Sequence, residues 1–383
     1  MSVAPVLELS FIASIREVEA ADWDALAGSD YPFLRHSFLQ ALEDSGAACA
    51  ESGWQPQHLL LHEAGQLCGL MPLYIKSHSY GEYVFDWSWA NAYERYGHDY
   101  YPKLLTAIPF TPATGRRFLT APEGDREALV GELLAGAQEA AERAGASSIH
   151  LNFLTDEEQQ LANASGFLSR RTMQFHWHAA GDGSFEDFLG RFRSSMRKKT
   201  KKERRVVADA GLDIRVFSGD DLTPERWETM RRFYRDTCMR KGAIPYLTNG
   251  FFDQAADTLS DRAVIVMAFH EDEPVAASLA FEKGAHLYGR YWGCSDDYDM
   301  LHFELCYYQL IERAIAQGMT RFEAGAQGTH KLRRGLMPVP IHSAHWLRHP
   351  ALAEAVAEFL PHEAMATERQ IAALEEHGPF RRD

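Results

Sequence analysis

The sequence predicts an α/β (α+β) protein in which a unit of β-hairpin, helix and returning strand occurs twice. Residues 58–76 and 266–283 each carry two apolar runs around a polar turn, the pattern of a hairpin, at an offset of 208 residues. A helical pattern then ends at a glycine in each half, Gly145 or Gly318, at an offset of 173 residues. The same elements in the same order indicate a tandem duplication.

Each hairpin is followed by a helix with apolar residues three and four positions apart, and then by two short apolar strands. Because the offset falls between hairpin and helix, the first copy holds about 35 additional residues, which the aromatic stretch 79–122 supplies. Within that stretch, residues 84–90 (VFDWSWA) have a strand-like composition. The predicted helix and strands are 127–143, 148–153 and 173–178 in the first copy, and 302–316, 320–324 and 342–347 in the second.

Between the copies, residues 184–210 have a helical pattern and concentrate positive charge. From 191 to 205 nine of fifteen residues are Lys or Arg and only Glu203 is acidic, although the chain has a net charge of −15 that disfavours DNA binding. Such a run is typical either of a solvated helix face or of a site for the phosphates of a nucleotide cofactor or tRNA. The candidate phosphate-binding residues are Arg197, Lys198, Lys201 and Lys202.

The boundary between the copies is expected at the glycine-rich segment 179–184. This predicts a first domain at 1–180 and a second at 181–383. The chain after Pro350 is rich in alanine and glutamate at helical spacing, and we expect this tail to pack on the second domain.

The composition excludes several protein classes. Five scattered cysteines without a CxxC spacing argue against a disulfide framework and a zinc site, and no run of about 18 apolar residues occurs. P-loop, strand-linked GxGxxG and GxSxG motifs are missing from the sequence. We therefore expect a cytoplasmic protein with no membrane span, no metal and no tightly bound cofactor, whose oligomeric state the sequence leaves open.

The first candidate site is the loop 325–331 (GAQGTHK), directly after a predicted strand. Strand ends in α/β proteins commonly bind ligands, and two glycines within four residues allow close backbone approach. Gln327 offers an amide, and His330 has the ordinary pKa range for taking a proton from an amine. Lys331 with Arg333 can bind phosphate or stabilise an oxyanion. The alternative is a polar surface turn.

The second candidate site lies in the second copy, where an arginine stands among aromatic residues (YGRYWG). Strand alternation is expected to place Arg290 and Trp292 on one face and Tyr291 on the other. A buried arginine requires an anion, which is either a ligand or one of the carboxylates Glu304 and Glu323 in a purely structural ion pair. The candidate substrate contacts here are Arg290, Tyr291, Trp292, His302 and Glu304.

The third candidate site is the aromatic segment 76–103 of the first copy, in which tyrosine, tryptophan and phenylalanine alternate with acidic residues. Aromatic rings beside carboxylates can bind an amphipathic or cationic acceptor, and aromatic core packing is the alternative. The candidate contacts are His78, Glu82, Tyr83, Asp86 and Trp87.

Several long motifs resemble one known family. The segments 76–93 (KSHSYGEYVFDWSWANAY), 290–309 (RYWGCSDDYDMLHFELCYYQ) and 322–335 (FEAGAQGTHKLRRG) are similar to FemAB-like proteins of peptidoglycan biosynthesis or recognition, relatives of the GNAT acyltransferases. The resemblance covers nearly the whole chain. It implies two tandem GNAT-like domains, each a mixed, mostly antiparallel sheet flanked by helices.

The resemblance also implies a reaction. True Fem enzymes transfer an amino acid from aminoacyl-tRNA to an amine of a peptidoglycan precursor, and GNAT enzymes transfer an acyl group from acyl-CoA to an amine. An N-acyltransferase with one of these donors and a small-molecule or peptide amine as acceptor is therefore implied. One departure concerns CoA, because Asp296, Asp297 and Asp299 occupy the turn where GNAT enzymes bind a diphosphate, and their charge would repel it.

In this interpretation His330 or Glu323 takes the amine proton, while Lys331 and Arg290 balance negative charge. The aromatic segment contacts the acceptor, and the basic helix holds the phosphates of the donor. Two alternatives remain open. One is a catalytically silent GNAT-like module that binds an amine-bearing ligand or a protein partner, and the other is an acyltransferase for a small free amine, which needs no long basic helix.

Overall fold

The computed structural model describes residues 7–326 and 328–381. The strands are β1 Leu7–Ile12, β2 Trp54–Pro56, β3 His58–Glu63, β4 Gln66–Met71, β5 Tyr74–Lys76, β6 Lys103–Thr106, β7 Leu119–Thr120, β8 Ser148–Leu154, β9 Leu168–His178, β10 Asp213–Ser218, β11 Ala263–His270, β12 Glu273–Lys283, β13 His286–Cys294, β14 Arg321–Glu323 and β15 Met337–Leu347. The α-helices are α1 Ala20–Ala27, α2 His36–Asp44, α3 Trp87–Arg95, α4 Arg126–Arg143, α5 Asp156–Ala164, α6 Phe185–Gly190, α7 Ser194–Asp209, α8 Pro224–Arg240, α9 Asn249–Thr258, α10 Leu301–Phe303, α11 Gln309–Ala316 and α12 Pro350–Glu376. A π-helical segment, Glu304–Tyr308, joins α10 to α11.

The described chain divides into two compact units. The first comprises the chain up to Thr172 together with Pro340–Glu368, and the second comprises Met173–Val339 and the chain from Arg369. The division therefore falls inside β9 and β15 rather than at the glycine-rich segment 179–184. The physical reason is strand pairing, because the end of β9 pairs with β14 while the end of β15 pairs with β8.

The first unit contains two sheets. One is antiparallel, with the order β1–β3–β4–β7, and the predicted hairpin 58–76 supplies its two central strands. In the other, β2, β5, β6, β8 and the end of β15 follow one another, with β6 and β8 parallel and the remaining pairs antiparallel. Asp125 caps the start of helix α4, since its side chain accepts a hydrogen bond from the Ala128 amide, and the helix buries Leu133 and Leu134 in the core.

Two expectations are corrected in the first unit. Residues 84–90, which have a strand-like composition, contribute instead to helix α3. Trp89 and Tyr93 lie one helical turn apart there and pack in one apolar cluster with Leu352 and Val356 of α12, so tertiary packing overrides the local strand preference. The tail helix α12, expected on the second domain, therefore buries its first half in the first unit.

The second unit has the strand order β10–β11–β12–β13–β14–β9, in which β13 and β14 are parallel and the other pairs antiparallel. Helix α8 packs against β13, and a Cβ atom at Gly293 would lie 2.1 Å from the Phe233 carbonyl oxygen, so this close backbone approach requires glycine. The helix predicted over 184–210 is two helices, α6 and α7. The break between them contains Phe192, which is fully buried and forms an isolated bridge with Phe380.

Both units therefore contain a hairpin and a parallel strand pair joined by a long helix, β6–α4–β8 in the first and β13–α10–α11–β14 in the second. The predicted α/β class with two tandem copies is confirmed. The last predicted strand of each copy is exchanged, because β9 completes the sheet of the second unit and β15 that of the first. Within the described ranges, no helix combines the length and apolar character that crossing a membrane requires.

Candidate active site

The loop after β14 leads into a short 3-10 helix, Thr329–Arg334, that buries one lysine. Gly328 precedes it with a φ of 110°, a conformation that favours glycine. Lys331 is 3% exposed, and its Nζ donates a hydrogen bond of 2.8 Å to the Gly325 carbonyl oxygen. Burial lowers the pKa of Lys331 to about 8, a shift that the nearby Cys306 thiol opposes. A neutral amine is thus accessible near physiological pH.

His330 precedes Lys331 and is exposed. Its Nε2 lies 3.1 Å from the Tyr307 hydroxyl. Partial burial, and then the charges of Arg334 and Lys331, lower the pKa of His330 below its ordinary value. The imidazole is therefore mostly neutral at pH 7 and able to accept a proton.

Strand β13 carries a β-bulge at the predicted arginine. Leu279 pairs with Tyr291 and the next residue, Ala280, pairs with Gly289, so Arg290 is the extra residue on β13. Because a bulge interrupts alternation, the expected sharing of faces between Arg290 and Trp292 does not follow from strand geometry. The bulge instead directs side chains of consecutive residues toward one place.

A cavity of about 90 Å³ adjoins the bulge. Cys306 also lines it, and burial raises the pKa of that thiol, which disfavours a nucleophilic thiolate. Tyr307 lines the cavity and contacts His330, while the Lys331 ammonium acts electrostatically on Cys306, so the loop adjoins the cavity. Four predicted substrate contacts line it together: Arg290, Tyr291, Trp292 and His302.

The two predicted carboxylates have other partners. Glu304 accepts a hydrogen bond of 2.8 Å from Arg204 Nη2, and Glu323 Oε1 lies 3.1 Å from Arg321 Nε. Glu323 is 1% exposed, and its Oε2 lies 3.8 Å from Nε2 of the buried His176. These contacts favour the structural interpretation of both glutamates.

His302 is a buried imidazole of the cavity wall. Burial, and then His330, lower the pKa of His302 to about 4, so it remains neutral at physiological pH. Its ring packs edge-on against Trp292 at a centroid distance of 5.2 Å. The rings of His302 and Trp292 also line a larger depression of about 370 Å³. Charged side chains of both signs contribute to its lining: Arg240, Lys241, Asp296 and Asp297.

In the first unit, Glu82 and Asp86 of the aromatic segment are buried and form ion pairs with a lysine. Lys103 Nζ donates to Glu82 Oε2 at 2.8 Å and also to Asp86, and all three side chains are at most 3% exposed. Burial raises the pKa of Glu82 to about 7, and burial lowers the pKa of the neighbouring Lys76 to about 7. The structure thus places Glu82 and Asp86 in a buried ionic cluster rather than on the surface.

This cluster continues through residues that sequence reasoning did not single out. The Tyr100 hydroxyl donates to Asp86 at 2.6 Å and lies 3.1 Å from His150 Nε2, and His150 Nδ1 lies 2.7 Å from His345 Nδ1. Burial lowers the pKa of both imidazoles, so both are neutral, and one Nδ1 donates while the other accepts. The signal available in the sequence was a histidine within each of two apolar strand patterns, His150 in 148–153 and His345 in 342–347.

The remaining residues of the segment lie around the buried cluster. His78 Nε2 lies 3.0 Å from the Ser52 carbonyl oxygen, and burial lowers the pKa of this imidazole. Tyr83 is half-buried with a φ of 61°, an unusual conformation outside glycine. Trp87 is 39% exposed and packs edge-on against Tyr80. The rings therefore form a partly exposed surface, as a platform for a ligand requires.

Helix α7 has a basic outer face and an inner face that includes the buried Thr200, Glu203 and Val207. The outer face is free of bulky apolar groups and lies open to solvent. The predicted phosphate contacts have three environments: exposed for Lys198, Lys202 and Arg333, half-buried for Arg197, and ion-paired with Glu186 for Lys201.

The predicted contact Gln327 lies outside the described residues. Across the part of the chain that the structure describes, no three His, Cys, Asp or Glu side chains come together in a way that could hold a metal ion.

Comparison with known proteins identifies relatives of this fold. The FemAB-like family, described as peptidoglycan biosynthesis/recognition, matches residues 14–382. FemX has a TM-score of 0.54 and 13% identity, with 91% of this chain and 100% of FemX covered. The C-terminal domain of a proposed lysylphosphatidylglycerol synthetase from Agrobacterium fabrum has a TM-score of 0.57 and 10% identity, with 91% and 96% covered. A tandem GNAT protein from the clavulanic acid biosynthesis pathway has a TM-score of 0.47 and 12% identity, with 90% and 99% covered.

No curated protein sequence matches this chain. At such low identities the likeness to FemX and to the synthetase domain shows a shared fold. The description of the family concerns peptidoglycan biosynthesis or recognition. Because the match spans nearly the whole sequence, the chain belongs to the FemAB-like family.

Proposed function

We propose that this protein is an N-acyltransferase whose reaction takes place in the second unit, at the cavity beside the β13 bulge. The observation that carries the proposal is Lys331, a buried amine in the short 3-10 helix after the parallel strand β14, in which the preceding His330 contacts the cavity residue Tyr307. With a pKa of about 8, a useful fraction of Lys331 is neutral near pH 7.5 and can act as a general base.

The acceptor amine attacks the carbonyl carbon of the donor. A C–N bond forms, and the C–O bond of an aminoacyl ester or the C–S bond of a thioester breaks. The amine proton passes to Lys331 Nζ and then to the departing oxygen or sulfur, so an amine and an ester give an amide and an alcohol, and an amine and a thioester give an amide and a thiol. His330, exposed beside Lys331, exchanges protons with solvent, and Arg290 at the bulge stabilises the oxyanion.

The sequence predicts His330 or Glu323 as the base, and the contacts of Glu323 argue against that role. Its carboxylate is engaged by Arg321 and lies near His176. We therefore assign proton transfer to Lys331.

The exposed basic face of α7 favours a donor with many phosphates, as in aminoacyl-tRNA. Asp296 and Asp297, exposed in the turn before α10, disfavour the diphosphate of acyl-CoA. The family description supports an amine of a peptidoglycan precursor as acceptor.

The test incubates the purified protein with aminoacyl-tRNA or acyl-CoA and a panel of amines, including peptidoglycan precursors, and detects amide products by mass spectrometry. Lys331→Ala is expected to lower turnover by about 100-fold or more, since general-base catalysis contributes roughly that factor. Lys283→Ala, a half-exposed lysine at the end of β12, is the matched control and should retain activity.

Charge reversal at Lys198 and Lys202 separates the donors. With aminoacyl-tRNA the KM should rise, whereas a CoA-dependent transferase for a small free amine should be unaffected. Unchanged turnover in Lys331→Ala would disprove the assigned base. Binding of donor and acceptor without any amide product would identify the silent binding module instead.

A further inference from the structure

Helix α7 carries one carboxylate within its basic run, and that side chain is buried. Glu203 is 7% exposed, whereas its neighbour Lys202 is exposed. Adjacent residues on a helix point about 100° apart, so one helix can present lysines to solvent and a carboxylate to the protein interior. The inward contacts of Glu203 lead directly to the candidate active site.

Two side chains donate to the same carboxylate oxygen. Arg334 Nη2 lies 2.9 Å from Glu203 Oε2, and the Tyr308 hydroxyl lies 2.5 Å from it. Tyr308 belongs to the π-helical segment beside the cavity, and Arg334 ends the short 3-10 helix that carries Lys331. Glu203 therefore joins α7 to both elements of the site.

Arg334 extends this link to the backbone of the catalytic turn, the 3-10 helix Thr329–Arg334 that carries Lys331. Its Nη1 donates a hydrogen bond of 2.8 Å to the His330 carbonyl oxygen, and its guanidinium lies 3.3 Å from the centre of the Phe303 ring. The His330 carbonyl belongs to the peptide group that leads to Lys331. One guanidinium thus connects Glu203 to the peptide bond before the proposed base.

A second ion pair joins the same helix to the cavity wall. Arg204, the residue after Glu203, donates to Glu304 at 2.8 Å and to Glu312 at 2.9 Å. The pair ties α7 to the helix that supplies Cys306 and Tyr307 to the cavity. Charge-assisted hydrogen bonds of this kind are geometrically specific, so they fix orientation as well as distance.

We propose that Glu203 is a positioning residue. Through Arg334 it holds the His330–Lys331 peptide in place and joins helix α7 rigidly to the catalytic turn. The inference rests on the proposed role of Lys331 as the base. Its consequence is that removing the Glu203 charge impairs the chemical step, while removing neighbouring lysines impairs donor binding.

The test measures the reactivity of Lys331 separately from turnover. Lys331 in the full-length protein is labelled with acetic anhydride at a series of pH values, and the extent of modification is read by mass spectrometry. In Glu203→Gln and in Arg334→Lys the turn loosens and admits water, so the midpoint of labelling should rise toward the ordinary lysine value. In Lys202→Gln, the matched exposed control, the labelling profile should stay as in the wild type.

Turnover provides the second readout. Glu203→Gln is expected to lower kcat on the order of 10-fold and to change the donor KM less than about twofold. This combination indicates that the variant loses an interaction made in the transition state and not in donor binding. Lys202→Gln is expected to raise the donor KM. Thermal melting identifies a variant that fails to fold, and Arg334→Lys then tests the same link with the positive charge retained.

An unchanged Lys331 labelling profile in both Glu203→Gln and Arg334→Lys overturns the positioning role, whether or not the protein is a transferase. A shifted profile in a protein that forms no amide supports the positioning of Lys331 and contradicts the proposed function instead. A shifted profile together with the lower kcat supports both.

Discussion

Replacing Lys103 by methionine should strongly destabilise the first unit. Lys103 is fully buried, and its Nζ donates to Ser79 Oγ and Glu82 Oε2 at 2.8 Å each and also to Asp86. Breaking a buried ion pair from one side costs about 3–5 kcal/mol, and the lost hydrogen bond to Ser79 adds about 1 kcal/mol. The expected loss of about 4–6 kcal/mol is a large part of the roughly 5–15 kcal/mol that stabilises a typical domain.

Urea unfolding followed by tryptophan fluorescence measures this loss, since the first unit contains buried tryptophans. Lys201→Met, at an exposed lysine paired with Glu186, is the control and should cost no more than about 1 kcal/mol. Combining Lys103→Met with Glu82→Gln and Asp86→Asn should recover part of the loss, because neutral groups are easier to bury than charges. A loss below about 1 kcal/mol, or no recovery in the triple variant, would refute the reasoning.

Four further predictions rest on the same structure. Burial raises the pKa of Glu82 to about 7, so between about pH 4.5 and pH 7 the folded chain keeps a proton that the unfolded chain releases. The free energy of unfolding therefore falls as pH rises through that window, by up to about 1.4 kcal/mol per pH unit. Glu82→Gln should remove this slope in urea titrations. Burial lowers the pKa of Lys76 to about 7, so between pH 7 and about 10.5 the unfolded chain binds a proton that the folded chain does not. The free energy of unfolding therefore rises with pH over this range, and Lys76→Met should flatten that rise. A methyl group at residue 293 would lie 2.1 Å from a carbonyl oxygen of α8, so Gly293→Ala should lower the melting temperature through a loss of about 1–3 kcal/mol, whereas Gly131→Ala, which meets nothing within 4 Å in α4, should raise it. Turnover should increase as pH passes about 8 and Lys331 loses its proton, a pH dependence that Lys331→Ala should lack.

Sequence patterns located much of the candidate site. Arg290, Trp292 and His302 are grouped by local motifs, and the structure brings them together at one cavity with the neighbourhood of the loop 325–331. This succeeds because strand ends and turns are local features of the chain. The bulge at Arg290 was missed, since it depends on the register between β12 and β13 rather than on the composition of either strand.

The buried cluster of the first unit was inaccessible to the same reasoning. Glu82 and Asp86 stand among aromatic residues and resemble an exposed platform, yet Lys103, more than a dozen positions later, neutralises them in the interior. His150 and His345 are 195 residues apart and form one hydrogen bond. A polar residue in an apolar strand signals a buried partner, although the identity of the partner requires the fold.

The amino-acid sequence alone determined the repeated hairpin, helix and strand, the basic run of α7 and the resemblance to the FemAB-like family, because each is written in residues close together along the chain. Tertiary structure decided which last strand completes each sheet, where α12 packs, and which charges are paired. It also decided that Lys331 is buried while His330 beside it is exposed. These properties depend on the desolvation and pairing of groups far apart in sequence, and such groups meet only when the sheets have formed.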